Sequence, residues 1–284
     1  MVLATFCWGS SWVVARGLYQ VMPPVAMSFW RWAIAFLFIL PFSWRFLRQD
    51  APTLRENWKL LAFLGVIGTT GFSTLGYWGV NYTTATNAAL INGAMPALVI
   101  GMSAFIDRAW PSRRVAAGLV FAMCGTVFMV AKGSWAAISA LQFNQGDVLV
   151  LAAMAGWGVY TCALRWRPPK LHPLSFFAFT AGCGVLSTVP LFAWENLTNP
   201  IVIPLNAMVV GGTLYVALAC SVLAYTCWNA AVAVVGSQTA VLYNNLASIF
   251  GVLMAMLVLG EMPHAYHFIG ALLVFAGVAL VSRR

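Results

Sequence analysis

Trp8-Gly9-Ser10-Ser11-Trp12-Val13-Val14-Ala15-Arg16, near the start of the chain, is outlined again 149 residues later by Trp157-Gly158-Val159-Tyr160-Thr161-Cys162-Ala163-Leu164-Arg165. A Trp-Gly pair opens each stretch and an arginine closes it at the same spacing. Leu119-Val120-Phe121-Ala122 returns as Leu273-Val274-Phe275-Ala276, 154 residues on, and Asp107 and Glu261 share that second offset. The first half of the chain is thus written again in the second. Each copy has room for about five apolar helices of the roughly 20 residues that cross hydrocarbon. An odd number of crossings makes the two copies enter the bilayer from opposite sides. Inverted repeats around a midplane cavity are a common ground plan of secondary transporters.

Composition excludes most other classes. Of 284 residues, 62% are hydrophobic and only 7% charged, whereas a soluble domain carries about 25% charged residues. Most of the surface must therefore face lipid. The net charge of +9 does not point to nucleic acid, because the basic residues sit in short turns between apolar runs and form no contiguous patch. Cys7, Cys124, Cys162, Cys183, Cys220 and Cys227 all fall inside apolar segments, without partners at metal-ligand spacing, and read as small packing residues. The first apolar run contains Arg16 and lacks a basic leader, so it reads as a retained helix rather than a signal peptide.

Hydropathy predicts spans over 2–20, 26–44, 58–80, 84–105, 113–131, 146–165, 173–194, 207–231, 237–259 and 264–282. The turns between them hold Pro23-Pro24, Pro111-Ser112, Pro168-Pro169, Asn199-Pro200 and Gly236-Ser237. With a cytoplasmic N-terminus, the inner side receives Arg45, Arg48, Arg55, Lys59, Arg108, Arg113, Arg114, Arg165, Arg167, Lys170, Arg283 and Arg284. The outer side receives Lys132, and Arg16 and Arg31 lie within spans. Lys and Arg favour the cytoplasmic face, so both termini are expected there. The same count puts Asp107 inside and Glu261 outside, as inversion requires.

Ionisable groups in lipid are costly and tend to be functional, yet no carboxylate is expected at mid-membrane. Arg16 and Arg31, towards the outer face, either attract a substrate carboxylate or snorkel and cap helix-end carbonyls. Trp44, Trp58, Trp110, Trp135, Trp166 and Trp194 fit an interfacial belt. Deeper lie Trp8 and Trp12 on the first span, answered by Trp157 and Tyr160 on the sixth. Tyr77 and Trp78 on the third are answered by Tyr225 and Trp228 on the eighth. These rings either line a cavity, offering stacking and cation–π contacts, or pack helices together. Asn87 and Asn92 in the fourth span, and Asn244 and Asn245 beside Tyr243 in the ninth, need partners in hydrocarbon. They bind cargo or bridge helices. Pro96 removes a hydrogen bond in mid-span and is a candidate hinge or static kink; Phe250 stands at the matching place. Gly118 and Gly125, and Gly270 and Gly277, each form a flat strip for helix packing.

These residues carry a resemblance. Trp8-Gly9-Ser10-Ser11-Trp12, the stretch Leu90 to Asp107 with Pro96, Leu259-Gly260-Glu261, and Gly270-Ala271 followed by Ala276-Gly277 resemble the drug/metabolite transporter superfamily in its EamA-type branch. More narrowly, the chain looks like bacterial inner-membrane exporters of aromatic and other neutral amino acids. The resemblance implies an all-α integral membrane fold of ten transmembrane helices, arranged as two inverted five-helix repeats (1–142 and 143–284) around a central cavity. It implies export from the cytoplasm. Aspartate at 107 and the absence of proline near Phe250 depart from the family pattern.

The expectation is a carrier and not an enzyme, because His172, His264 and His267 lack catalytic company. It works by alternating access in the bacterial inner membrane, as a monomer, without metal or cofactor and without nucleic-acid partners. Spans 1, 3, 4, 6, 8 and 9 line the cavity. Trp8, Trp12, Tyr77, Trp78, Trp157, Tyr160 and Trp228 contact the side chain of the cargo, while Asn92, Tyr243 and Asn244 hold its head group. The rival within the class is a carrier for another small solute, such as a cationic drug or a sugar derivative.

Overall fold

The computed structural model describes residues 1–18, 21–83, 85–108, 110–134, 136, 139, 144–200, 202–259 and 264–282, and every regular element among them is helical. In chain order we label α1 (Val2–Leu18), α2 (Pro24–Gln49), α3 (Trp58–Val80), α4 (Ala85–Asp107), α5 (Arg113–Val130), α6 (Gln145–Trp166), α7 (Pro173–Thr198) and α8 (Ala207–Val235). Next comes α9, built from Ser237–Leu242, a 3₁₀ turn Tyr243–Asn245 and Leu246–Leu259, and then α10 (Ala265–Ser282). A short connector helix, Ala51–Glu56, follows α2.

Six of these helices, α2, α3, α5, α6, α7 and α8, are long and apolar enough to cross a membrane; α4 and α10 contribute the shorter apolar stretches Ile91–Ile106 and Ala265–Val281. Helix α1 has 17 described residues, at the short end of what crosses hydrocarbon. Helix α9 is interrupted where Asn244 and Asn245, poor helix formers, tighten the backbone into the 3₁₀ turn. By contrast, α4 runs through the buried Pro96 as one uninterrupted helix.

Helix starts follow ordinary capping chemistry. Ser112 accepts from Val115 N at 3.3 Å and Asn206 from Val209 N at 2.9 Å, each covering an orphan donor of the first turn. Asn144 and Asp147 form a reciprocal capping box at the start of α6. The buried Asp147 also accepts from the Thr83 hydroxyl, tying the turn after α3 to α6. Gly236 joins α8 to α9 with φ +78°, a left-handed conformation that favours glycine.

Helices α2 and α7 pack along one another and are built alike. Each has 26 residues and begins with proline at its first position, where the missing N–H costs nothing. Pro24 and Pro173, and the internal Pro41 and Pro190, are again 149 residues apart. Asp50, at the end of α2, accepts from His172 N at the start of α7 (3.0 Å), and Phe46 stacks on the His172 ring at 3.6 Å. At the opposite end, the buried Glu195 of α7 accepts from Val25 N (3.1 Å) and Ala26 N (2.7 Å) at the start of α2, while Phe29 stacks on Phe192 at 4.4 Å. Each helix thus offers a carboxylate to the positive end of the other, and the two run antiparallel.

Helices α5 and α10 meet through their glycine strips. A β-carbon on Gly125 would lie 2.5 Å from the Gly270 carbonyl oxygen, and one on Gly118 would lie 2.7 Å from that of Gly277. Backbone touches backbone there, as small residues permit. The pairing of 118 with 277 and 125 with 270 makes this pair antiparallel too. Elsewhere α1 packs on α9 and α4 on α6; α3 packs on α6 and α7, and α8 on α1 and α2. The repeated Trp-Gly pair explains part of this. Gly9 leaves room for the backbone of Ala247 and Gly251 in α9, and Gly158 for Val99 and Met102 in α4.

Candidate functional site

The tryptophans beside those glycines meet at the centre. Trp8 and Trp157 stand edge to face with centroids 5.2 Å apart and planes at 89°. Trp8 also touches Trp228 (5.1 Å) and Tyr225 (5.7 Å). Trp157 stacks on Tyr160 (5.2 Å) and against Phe72 (4.8 Å). Tyr225 meets the face of Trp32 at 4.8 Å. Edge-to-face and offset pairs are the favoured ring arrangements. Buried polar tips need acceptors, and most find one. Trp8 Nε1 donates to the Cys220 carbonyl (3.0 Å), Tyr225 OH to the Gly68 carbonyl (2.8 Å), Tyr160 OH to Asn229 Oδ1 (2.9 Å) and Trp32 Nε1 to Ser73 Oγ (3.1 Å). The fully buried Trp228 Nε1 has no acceptor.

The two backbone acceptors lie where α3 and α8 depart from α-helical geometry. Both helices pass through π-helical segments, Val66–Thr74 and Leu218–Leu223, a distortion often found at functional sites. It presents the Gly68 and Cys220 carbonyls to the aromatic cluster.

Arg31 of α2 reaches the same place. It is 4% exposed and lies about two turns from the helix start. Its Nε donates to Ser221 Oγ (2.6 Å), one terminal nitrogen to Tyr77 OH (2.8 Å) and the other to the Cys220 carbonyl (3.0 Å). The guanidinium also sits 5.4 Å from the Trp32 ring, within cation–π range. Beside it is a cavity of about 40 Å³ whose walls include Trp8, Ser11, Ser73, Tyr77 and Met154. The walls of this cavity come from α1, α2, α3 and α6.

The structure brings Trp8, Trp157, Tyr160 and Trp228 into one cluster, with Tyr77 at its edge through Arg31. Trp78, next in sequence to Tyr77, points elsewhere and packs on Trp194 at 5.9 Å. Asn92 is half-buried in α4, and Asn244 is buried in the 3₁₀ turn of α9. Tyr243 joins a separate apolar group of Met129, Leu246, Ile249 and Val274 between α5, α9 and α10. The side chains of Trp12, Arg16, Asn87 and Asp107, and Glu261 as a whole, lie outside the described residues. Trp32, Phe72 and Ser221 are absent from the candidates read from sequence. Tyr225 is read there as the ring that answers Tyr77, and Asn229, one turn after it, is a further amide of the eighth span. Among the described residues, no His, Cys, Asp or Glu side chains are grouped to hold a metal ion.

An apolar helical bundle with six helices long and apolar enough to cross a membrane, closed on a cation-bearing aromatic centre, is of the membrane-protein class. The chain belongs to the EamA-like transporter family, whose model matches residues 1–131 and again 144–283, within the drug/metabolite transporter superfamily; it is a transporter and not an enzyme. It is 28% identical over 281 residues to the uncharacterized transporter YyaM of Bacillus subtilis, covering 96% of this chain and 89% of that one. It is 26% identical over 285 residues to an uncharacterized transporter of Archaeoglobus fulgidus, covering 100% and 96%. A probable terminal-alkyne amino-acid exporter of Streptantibioticus cattleyicolor is 26% identical over 228 residues, covering 79% and 73%. A solved crystal structure superposes with a TM-score of 0.79 over 99% of this chain and 94% of the other at 17% identity, a likeness of fold.

Proposed function

We propose that this protein exports neutral amino acids, aromatic ones among them, across the bacterial inner membrane by alternating access between two inverted five-helix repeats, 1–142 and 143–284. The observation that carries the reading is the convergence of Trp8, Trp157, Tyr225 and Trp228 beside Arg31. Apolar rings and a cation side by side suit a cargo that is apolar at one end and anionic at the other. The name of the Streptantibioticus cattleyicolor relative, a probable terminal-alkyne amino-acid exporter, lends support.

Several features favour the inverted repeat. Several packing pairs correspond when α1–α5 are exchanged with α6–α10: α1 on α9 answers α6 on α4, and α8 on α2 answers α3 on α7. The self-paired mates, α2 with α7 and α5 with α10, run antiparallel, as a two-fold axis in the membrane plane requires. Ten crossings with both termini in the cytoplasm follow from that axis and from the distribution of Lys and Arg. Pro96 in α4 and the 3₁₀ turn of α9 are the candidate hinges. Asn92 and Asn244 belong in this reading to the path outside the aromatic centre, whereas Tyr243 packs between α5, α9 and α10.

In this arrangement the rings close on one another. The cavity of about 40 Å³ is far below the roughly 300–1,000 Å³ of a ligand site, so loading requires the walls to part. A cationic drug as cargo is disfavoured, because its charge would face the guanidinium of Arg31. The test is flux into proteoliposomes of labelled phenylalanine, tryptophan and threonine. Saturable uptake with counterflow is expected. No protein-dependent movement of any amino acid removes the proposal. Cysteine labelling that finds the two termini on opposite faces removes the ten-crossing topology.

A further inference from the structure

Among the described residues, Arg31 is a buried charge without a counter-charge. Its three hydrogen-bond acceptors, Ser221 Oγ, Tyr77 OH and the Cys220 carbonyl, are all neutral, and they leave part of its donor fork unused. The carboxylates described in the structure are engaged elsewhere. Asp50 caps α7, Glu195 caps α2 and Asp147 closes the box at α6; Glu56 is exposed on the connector helix. A guanidinium sealed in a membrane bundle is costly unless an anion answers it. The small cavity touches this cation on one side and Trp8 on the other, with the Ser11, Ser73 and Tyr77 side chains between. The unpaired Nε1 of Trp228, in ring contact with Trp8, is a second donor without an acceptor in the same cluster.

We propose that Arg31 is the seat of the cargo's carboxylate, so that the transporter selects substrates bearing a free carboxylate beside an apolar or aromatic group. This rests on the amino-acid reading above and makes it specific. The carboxylate takes the unused face of the guanidinium, with the geometric fit that arginine offers to that group. The Ser11, Ser73 and Tyr77 hydroxyls lie within the same walls for the remaining polar groups, and the apolar part lies against the tryptophan rings. Analogues in which the carboxylate is amidated or missing keep only the amine, leave the cation unanswered and are rejected.

The experiment is competition against labelled L-phenylalanine in proteoliposomes, with unlabelled L-phenylalanine, L-phenylalaninamide and phenethylamine as the competitors. In the wild type the acid is expected to compete on the order of a hundredfold better than either analogue, the loss expected when one partner of a buried charge pair is removed. In Arg31→Gln that preference falls to within about threefold, while the melting temperature of the purified variant stays near that of the wild type. Full retention of the acid preference in Arg31→Gln overturns the proposal. Should Arg31→Gln fail to fold, the wild type and Arg31→Lys carry the test. Equal competition by acid and amide in the wild type, or an Arg31→Lys protein as selective as the wild type, overturns it. Amino-acid flux with acid and amide equal removes this inference and leaves the export reading standing. Arg31-dependent flux of benzoate or phenylacetate without flux of any amino acid does the reverse. Flux of neither class removes both.

Discussion

Helices α2 and α7 share a length, two proline positions and a reciprocal capping scheme, yet only one of them carries a charge to the centre. Arg31 of α2 reaches Ser221, Tyr77 and the Cys220 carbonyl across the bundle. The residue 149 positions on is Thr180 of α7, whose hydroxyl turns back to the carbonyls of Phe176 and Phe177 in its own helix. The scaffold is repeated and the chemistry is not. Two helices built alike can be held in the same way at their ends while only one of them carries a charge in its middle.

The sharpest way to test that contrast is to change its two centres. Arg31→Leu is expected to lower amino-acid flux on the order of a hundredfold, whereas Thr180→Val changes it within about threefold, the scale of a single hydrogen bond in a membrane protein; initial rates in proteoliposomes measure both. The ends come next. Glu195→Ala leaves the buried Val25 and Ala26 N–H groups without an acceptor and is expected to destabilise the fold by about 2–3 kcal/mol, read by denaturant titration in detergent. Asp50→Ala removes one bond, to the His172 N–H, and is expected to cost about 1 kcal/mol in the same titration. If Asp50→Ala costs more than Glu195→Ala, the argument from buried donors fails. The smallest effect is expected at Pro41 and Pro190, both of which face outward. Neighbouring groups already satisfy the carbonyls freed by such prolines, so Pro41→Ala and Pro190→Ala each shift stability by less than about 1 kcal/mol and by similar amounts. Unequal shifts would break the likeness of the two helices.

Much of this architecture was legible in the chain because repeated packing leaves repeated residues. Trp8-Gly9 and Trp157-Gly158 recur since each needs a ring inward and a bare backbone against a neighbouring helix. The glycine strips of α5 and α10 are visible because a spacing of seven keeps both members on one stripe. For Arg31 the sequence left two readings open, a carboxylate seat or a snorkelling side chain, because hydropathy placed it near a helix end, where arginine ordinarily snorkels. Two things bury it: the helix start at Pro24, two residues before the span that hydropathy drew, and the π-helical detour of α8, invisible in sequence, which delivers the Cys220 carbonyl. Tyr77 and Trp78 look interchangeable in a list of aromatics, but neighbours on a helix point in different directions, so only Tyr77 faces Arg31. Tyr225 differs from Trp228 by less than a turn, and both enter the cluster because that turn lies against α1 and α6.

The Cys220 carbonyl joins three helices at one atom, holding the indole of α1 and the guanidinium of α2 against α8. It belongs to the main chain. Exchanging the thiol for a hydroxyl or a methyl group therefore leaves both attachments in place, and a survey of side-chain variants would pass over the site as tolerant. Only an insertion or deletion that straightens the widened turn would reveal how much of the centre depends on it.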